Sequence, residues 1–251
     1  MLRVIINGCN GQMGQVLIKE INKDTQMTIL AGVDRTPEKI NNEFPVFSDI
    51  FQNKKKADVI IDFSNPYYLP GLLDYAIENH TALVIATTGF SSIDMSNIHQ
   101  ASKKVPIFYS ANMSLGINVL LNLVKQSAIS LKENFDIEII EKHHNKKVDS
   151  PSGTAYMIAN EINNSLDNSK EYVFGRYTKK DKRQKNEIGI HAIRGGSIVG
   201  EHQVLFAGTD EVIEIKHSAT SKSIFAIGAI KASKFLITKN NGLYDMQDII
   251  K

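Results

Sequence analysis

Cysteine is nearly absent from this sequence. Of 251 residues, only Cys9 carries a thiol. This excludes an intrachain disulfide framework and any zinc site with two or more cysteine ligands, and it favours a reducing compartment. We therefore expect a cytoplasmic protein.

Excess charge and long apolar runs are also lacking. The formal net charge is only +2, so no whole-molecule field favours nucleic acid or an anionic membrane as a partner. No stretch approaches the roughly 18 apolar residues of a membrane span, and residues 1–7 lack the basic and apolar regions of a signal peptide. Apolar residues make up 42% and charged residues 22%, which is typical of globular proteins. The length suits one large domain or two small ones.

The first part of the chain alternates between short apolar runs and amphipathic segments. The runs of strand type are residues 3–7, 27–34, 59–64, 82–88 and 106–111. The segments of helical character are residues 12–21, 67–79 and 96–104. This alternation predicts an α/β domain with a parallel sheet that is covered by helices on both faces.

The pattern changes after Asn112. Helices are predicted over 115–131 and 151–166, and strands over 135–144, 187–195, 198–207 and 211–218. These elements indicate a second, α+β domain with an open mixed or antiparallel sheet. A last helix, 221–237, could return to cover the first sheet. The basic segment from Lys179 to Lys185 falls in residues 168–186, which we expect to be a solvated, mobile loop.

A glycine turn follows the first strand. Gly8, Gly11 and Gly14 are spaced by three residues and open a helix. Glycines there allow a tight turn, let backbone N–H groups approach a pyrophosphate and let the helix pack closely. Alternatively, the glycines serve only the backbone of a strand-to-helix turn. Cys9 is interpreted as a small residue that fills the turn.

The end of the second strand favours the dinucleotide interpretation. Asp34 lies 20 residues after Gly14, where a carboxylate can accept hydrogen bonds from the adenosine ribose. Arg35 follows and could pair with a 2′-phosphate. The two roles oppose one another, so we expect both NADH and NADPH to be used.

Residues 141–155 concentrate two histidines and three lysines just before a predicted helix start. Ser150 and Ser152 are candidate caps, and unpaired N–H groups at such a start suit carboxylates. Histidine titrates near neutrality, and a partly desolvated lysine can donate a proton, which suits acid-assisted reduction. The alternatives are a solvated basic turn and, less well supported, a zinc pair, because adjacent histidines alternate across a strand. No metal site is therefore predicted.

The pattern E-x-H-H-x-x-K-x-D-x-P-S-G-T-A in residues 141–155 resembles the signature of the 4-hydroxy-tetrahydrodipicolinate reductase family, also called dihydrodipicolinate reductase. The resemblance extends to the glycine turn and to residues 87–90, 110–116, 194–196 and 200–202, so it spans nearly the whole chain. It implies NAD(P)H-dependent reduction of 4-hydroxy-tetrahydrodipicolinate to tetrahydrodipicolinate in the diaminopimelate route of lysine biosynthesis. A Rossmann-fold sensor without chemistry would lack the proton-donor cluster. A dehydrogenase acting on an aspartate-like or sugar substrate would lack the paired histidines.

The resemblance also implies an organisation and a set of site residues. Residues 1–113 with 221–251 would form a Rossmann-type dinucleotide-binding domain, and residues 114–220 a domain that binds substrate and forms a homotetramer. His143 would donate or accept a proton and Lys147 would donate one. The substrate carboxylates would be held by His144, Gly153 and Thr154. The cofactor, NADPH or NADH, would be held by Gly8, Cys9, Asn10, Gly11, Gln12, Met13, Asp34, Arg35, Ala86, Thr87, Thr88, Ser110, Ala111, Asn112 and Met113.

Overall fold

A computed structural model of the protein describes residues 1–177 and 180–250. Its strands, in chain order, are β1 (Leu2–Asn7), β2 (Met27–Val33), β3 (Val46–Phe47), β4 (Val59–Asp62), β5 (Ala82–Ile85), β6 (Pro106–Tyr109), β7 (Asp136–His143), β8 (Glu171–Phe174), β9 (Glu187–Arg194), β10 (Gly200–Ala207), β11 (Val212–Ala219) and β12 (Gly242–Tyr244). Its α-helices are α1 (Gln12–Ile21), α2 (Leu69–Glu78), α3 (Ser92–Ser102), α4 (Leu115–Leu131), α5 (Gly153–Ser165), α6 (Ser223–Leu236) and α7 (Met246–Ile250).

The chain divides into two compact units. One contains Met1–Leu115 together with the C-terminal segment that begins at Lys222, and the other contains Gly116–Ser221. The assignment of a dinucleotide to the first unit and of substrate to the second remains a prediction at this point.

The first unit is built on a parallel sheet with the strand order β12-β6-β5-β4-β1-β2-β3. Successive side chains of β1 enter opposite layers: Val4 and Ile6 pack with residues of α1 and α6, whereas Ile5 packs with residues of α2 and α3. Burial on both faces explains why these strands read as continuous apolar runs. The predicted return of the final helix is confirmed, because α6 packs beside α1 in this unit.

The second unit contains a mixed sheet with the order β11-β10-β7-β9-β8. Strand β10 is antiparallel to β7 and to β11, and β9 is parallel to β7 and to β8. Ile137, Ile139 and Phe206 pack on one face with residues of α4 and α5, so the core lies between this face and the helices. The two sheets confirm the predicted fold class, a Rossmann-type parallel sheet with a second α+β domain containing an open mixed sheet.

Two local predictions were wrong. Helix α3 begins at Ser92 rather than at 96, because Ser91 and Asp94 form a capping box whose reciprocal hydrogen bonds start the helix earlier. Residues 168–186 were expected to be a solvated loop, but β8 lies within them and pairs with β9. Arg183 in the same segment bonds Asp136 at 2.6 Å and Glu138 at 3.0 Å. Lys179 falls outside the described residues.

Among residues 1–177 and 180–250, no helix combines the length and the apolar character that crossing a membrane would require.

Candidate active site

The glycine turn of the first unit is shaped by close backbone contacts. Gly8 has φ +78°, and a Cβ added there would lie 2.6 Å from the carbonyl oxygen of Phe63. A Cβ on Gly14 would collide with the carbonyl oxygens of Gly8 and Cys9. Helix α1 begins after Gly11, and within the described residues no side chain caps its first turn. First-turn N–H groups therefore suit an anion such as a pyrophosphate.

A cleft of about 320 Å³ opens beside this turn, at the carboxyl ends of β1, β2 and β4. Its walls bring together Gly8, Gly11, Asp34 and Arg35, which are far apart in the sequence. In open α/β sheets, ligands bind in the crevice outside the carboxyl ends of the strands. The position of this cleft and the backbone donors beside it suit part of a bound dinucleotide.

Asp34 braces the glycine turn. Its Oδ2 accepts a hydrogen bond from the Asn10 N–H at 3.0 Å, and its Oδ1 accepts from the backbone N–H and the hydroxyl of Thr36 at 3.0 and 3.1 Å. A carboxylate has about four acceptor positions, so three are filled within the chain. The cleft is also lined by two exposed cations, Arg35 and Lys39. Arg35 was predicted from the sequence, whereas Lys39 was not, because a short 3₁₀ helix, Pro37–Lys39, places it at the cleft.

A buried carboxyl group joins three strand ends behind the cleft. Asp62 accepts hydrogen bonds from Asn7 Nδ2 at 2.8 Å and from the Ser64 hydroxyl, and the Ser64 N–H donates to Thr87 Oγ1 at 2.9 Å. Burial raises the pKa of Asp62, and the hydrogen bonds from Ser64, Thr87 and Asn7 oppose this effect. The network ties Thr87, a predicted cofactor residue, to the ends of β1 and β4. This role of Asp62 was not predicted, because its partners Asn7 and Thr87 are remote in the sequence.

Not every predicted cofactor residue presents its side chain to the cleft. Cys9 and Met113 are buried in the apolar core of the first unit, which leaves only their backbone groups for a ligand. Cys9 is fully buried, which confirms it as a packing residue, and this burial raises the pKa of its thiol to about 12. Gln12 accepts a hydrogen bond from Lys222 Nζ at 2.8 Å.

The remaining predicted cofactor residues follow two adjacent strands. They are Ala86, Thr87 and Thr88 after β5, and Ser110, Ala111, Asn112 and Met113 after β6. These strands are parallel neighbours, so both segments emerge at the same edge of the sheet. In the second segment, Ser110 Oγ donates to the carbonyl oxygen of Asn112 at 2.8 Å, and Asn112 Oδ1 accepts from the Ser114 N–H at 2.9 Å.

One cluster of titratable side chains in the second unit surrounds Glu141. This carboxylate is fully buried, and its Oε2 lies 2.6 Å from Nδ1 of His143. Arg194 donates to both of its oxygens, at 2.8 and 2.7 Å, and the Ser152 N–H donates to Oε1 at 2.9 Å. Burial opposes ionisation, but the hydrogen bonds from Arg194, His143 and Ser152 outweigh it and lower the pKa of Glu141. Glu141 is therefore an ionised carboxylate at neutral pH.

A second histidine packs against His143. The ring of His202 lies 5.2 Å from the His143 ring at an interplanar angle of 71°, and its Nε2 is 2.9 Å from Ser152 Oγ. Burial, followed by the nearby charge of His143, lowers the pKa of His202 to about 4. His202 is therefore neutral at physiological pH. Ser152 also caps α5, where its hydroxyl accepts from the Ala155 N–H at 3.2 Å.

The loop after β7 carries the other predicted catalytic residue. Lys147 Nζ lies 2.8 Å from Asp149 Oδ1, and its backbone N–H donates to the carbonyl oxygen of His144. The hydrogen bond from Lys147 lowers the pKa of Asp149. Arg194 also donates to the carbonyl oxygen of Asp149 at 2.7 Å, so the Glu141 cluster and the Lys147 loop are connected.

The predicted substrate residues lie at both ends of this loop. Nδ1 of His144 is buried and has no hydrogen-bond partner among the described residues. Gly153 and Thr154 form the first turn of α5, and a Cβ added at Gly153 would meet no atom within 4 Å. Glu141 Oε1 accepts from both Arg194 and the Ser152 N–H, so a cation lies near this helix start, which suits a bound carboxylate. The contact of Glu141 with Arg194 was not predicted, because it joins residues 53 positions apart.

Comparisons with known proteins agree with this architecture. The family profile "Dihydrodipicolinate reductase, N-terminus" matches residues 2–113, and "Dihydrodipicolinate reductase, C-terminus" matches residues 116–250. The chain is 54% identical to the 4-hydroxy-tetrahydrodipicolinate reductase of Caldanaerobacter subterraneus subsp. tengcongensis, over 100% of this chain and 99% of that protein. It is 49% identical to the Clostridium novyi enzyme of the same name, with the same coverage.

A solved structure shares the fold. It is a dipicolinate-bound dihydrodipicolinate reductase from Paenisporosarcina sp. TG-14, with a TM-score of 0.83, 24% identity and coverage of 100% of both chains. The two family profiles together span nearly the whole chain, and the curated relatives match it from end to end. The chain therefore belongs to the 4-hydroxy-tetrahydrodipicolinate reductase family.

Proposed function

We propose that this protein reduces 4-hydroxy-tetrahydrodipicolinate to tetrahydrodipicolinate with NAD(P)H, in the diaminopimelate route of lysine biosynthesis. Family membership over the full chain supports the reaction, and the names of the curated relatives give the substrate. The observation that carries the proposal is the histidine and lysine cluster around Glu141, which gathers proton-donating groups beside a helix start.

The reaction consumes one hydride and one proton and releases the substrate hydroxyl group as water. When bound, the reduced nicotinamide supplies the hydride. We assign the proton to the cluster of His143 and Lys147, since both imidazolium and ammonium groups can protonate a reacting atom or stabilise developing negative charge. Lys147 lies on the loop that directly follows His143, and its ion pair with Asp149 at 2.8 Å holds the ammonium group there.

The substrate has two carboxylates, and the second unit offers two kinds of partner for them. We assign one set of contacts to His144, whose buried Nδ1 has no hydrogen-bond partner in the described part of the chain. The other set is the first turn of α5 at Gly153 and Thr154, where backbone N–H groups point out of the helix. Open space at Gly153 is consistent with close approach of a ligand.

The Rossmann-type first unit and the family support binding of a pyridine nucleotide. Beyond this, we propose that both NADPH and NADH serve. Arg35, with Lys39 beside it, would attract a 2′-phosphate, and the remaining acceptor position of Asp34 would accept from a 2′-hydroxyl. Gly8 to Met13, Ala86 to Thr88 and Ser110 to Met113 would hold the rest of the cofactor, with Cys9 and Met113 contributing backbone groups.

We further propose a cytoplasmic homotetramer that forms through the second unit. Strand β11 lies at an edge of the mixed sheet and exposes Val212 and Ile213. An open edge with exposed apolar side chains is a common site of subunit association. The single buried cysteine fits a reducing compartment.

Purified protein should oxidise NADPH when a dihydrodipicolinate synthase reaction supplies its substrate. His143→Gln and Lys147→Ala should each lower kcat on the order of 100-fold, the usual scale for positioned acid–base groups. NADPH binding, measured by calorimetry, should stay close to that of the parent. Wild-type kcat in both variants would contradict the assignment. NADPH binding without turnover in the parent would instead favour a redox sensor.

A further inference from the structure

We propose that Glu141 is the positioning residue for His143: it holds the imidazole in the tautomer with hydrogen on Nδ1, directs Nε2 to the substrate, and is itself fixed by Arg194. The inference rests on the proposed role of His143 as a proton donor. It adds a residue that touches neither substrate nor cofactor, and it assigns the reacting nitrogen.

Hydrogen-bond counting fixes the tautomer. The ionised Glu141 carboxylate only accepts hydrogen bonds, and it has about four acceptor positions. Arg194 fills two of them and the Ser152 N–H fills a third. The fourth contact, 2.6 Å from Oε2 to His143 Nδ1, therefore requires hydrogen on Nδ1. In the neutral imidazole, Nε2 is then the bare nitrogen, and in the imidazolium it carries the proton that can be transferred.

The surroundings of Nε2 agree with this assignment. In the described part of the chain, Nε2 of His143 makes no hydrogen bond, whereas Nδ1 is bonded to Glu141. A Cβ added at Gly200 would lie 3.1 Å from Nε2, so a glycine at this position keeps the Nε2 edge clear. The His202 ring packs against the imidazole with a centroid separation of 5.2 Å, which limits its rotation.

The charges around His143 determine how pH should act. On its own strand the neighbours are Glu141 and Lys142, and Lys142 is paired with Glu201 of β10. Arg194 of β9 is paired with Glu141, and Lys147 is paired with Asp149. His202 of β10 and its cross-strand partner His217 of β11 both have a lowered pKa, chiefly because of burial. Glu141 is thus the carboxylate in direct contact with the imidazole, and it stabilises the protonated ring.

Glu141→Gln tests the inference because it keeps the shape of the side chain and removes its charge. We expect kcat to fall by at least about 10- to 100-fold, the range typical of outer groups that orient metal-bound histidines, with little change in KM. The protonated ring loses its stabilising carboxylate, so the alkaline limb of the kcat–pH profile should move to lower pH. Glu141→Asp keeps the charge but is shorter, so it should lower kcat while leaving that limb near its wild-type position.

A spectroscopic measurement reports the tautomer without turnover. In protein labelled with ¹⁵N-histidine, the ring of His143, identified by its loss in His143→Gln, should show protonated Nδ1 and bare Nε2 at high pH. In Glu141→Gln the two tautomers should become mixed, because the amide can accept as well as donate. An Nε2–H tautomer in the parent would overturn the proposal. If Glu141→Gln does not fold, the tautomer measured in the parent protein still tests the proposal.

Glu138→Gln is a matched control on the same strand. Like Glu141, Glu138 contacts arginine and histidine side chains: Arg176 at 2.8 Å, Arg183 at 3.0 Å and His191 at 2.7 Å. Glu138→Gln should leave kcat and the kcat–pH profile unchanged. If Glu138→Gln reproduces the effects of Glu141→Gln, the role is merely structural and the proposal fails.

Different results would contradict the positioning role of Glu141 and the proton-donating role of His143. Wild-type kcat and pH profile in Glu141→Gln, together with an inactive His143→Gln, would overturn the inference alone. Wild-type kcat in His143→Gln would overturn the proposed role of His143 itself.

Discussion

Replacing Arg194 by Met should destabilise the second unit strongly, because it leaves the buried charge of Glu141 without its cationic partner. Arg194 donates two hydrogen bonds to Glu141, at 2.8 and 2.7 Å, and the carboxylate has no exposed surface. Methionine is close to arginine in length but donates nothing. Glu141 would keep only the Ser152 N–H and the His143 ring as donors.

The size of the effect follows from the two lost contacts. Hydrogen bonds to charged groups contribute about 1.5–3 kcal/mol each, and removing one partner of a buried ion pair costs about 3–5 kcal/mol. We therefore expect a loss of about 3–5 kcal/mol in the free energy of unfolding at pH 7. Arg194 is 19% exposed, so some water can reach the site and the lower half of this range is favoured.

The loss should depend on pH with a definite sign. The folded-state pKa of Glu141 lies below its ordinary value, so the pair stabilises the fold above the unfolded pKa, about 4.3, and this contribution is lost as pH falls through the folded pKa. In Arg194→Met that pKa should rise, because the main donors are gone. The difference between parent and variant should therefore be largest near neutral pH and should shrink as pH approaches and passes below about 4.3.

Urea unfolding followed by far-ultraviolet circular dichroism measures this loss, since the sequence contains no tryptophan. Arg176→Met is the control: Glu138 keeps Arg183 and His191, and although Glu187 loses its arginine, the Arg176 side chain is 32% exposed, so the loss should be clearly smaller than in Arg194→Met. The double variant Glu141→Gln/Arg194→Met should recover much of the stability lost in Arg194→Met, because no charge is left unpaired. A loss below about 1 kcal/mol in Arg194→Met, or simple additivity in the double variant, would refute the reasoning.

Three further predictions concern the ligands and the assembly. Pyridine-2,6-dicarboxylate should inhibit the parent competitively against substrate. It should bind Gly153→Val much less, because the valine side chain would occupy the open space through which the ligand approaches Gly153. Equal inhibition of both proteins would refute this carboxylate site. Arg35→Ala should raise KM for NADPH more than for NADH, with a smaller effect in the same direction from Lys39→Ala, and parallel changes for both cofactors would show that these cations do not recognise the 2′ position. Light scattering at micromolar concentration should give four times the chain mass of 28.0 kDa, and a monomer mass would contradict the tetramer.

The first sheet could be predicted because its signals are local. Strands β1, β4 and β5 are short apolar runs, and the glycine turn fixes where α1 begins. The elements that were missed have weak local signals. Strand β3 has two residues and β12 has three, and β8 is a four-residue edge strand in a polar segment that pairs only because β9 lies beside it. Their formation depends on neighbours that are remote in the sequence.

The cluster around Glu141 also depends on neighbours that are remote in the sequence. Glu141 and His143 are two residues apart on β7, so strand alternation alone places them on one face, and the E-x-H part of the motif encodes their contact. The register of the neighbouring strands places the other partners: β9 pairs Arg194 with His143, and β10 pairs His202 with Glu141. A shift of one residue in either pairing would turn these side chains to the opposite face. The sequence can therefore identify the proton-donating groups, whereas the ion pair that orients them depends on how three strands align.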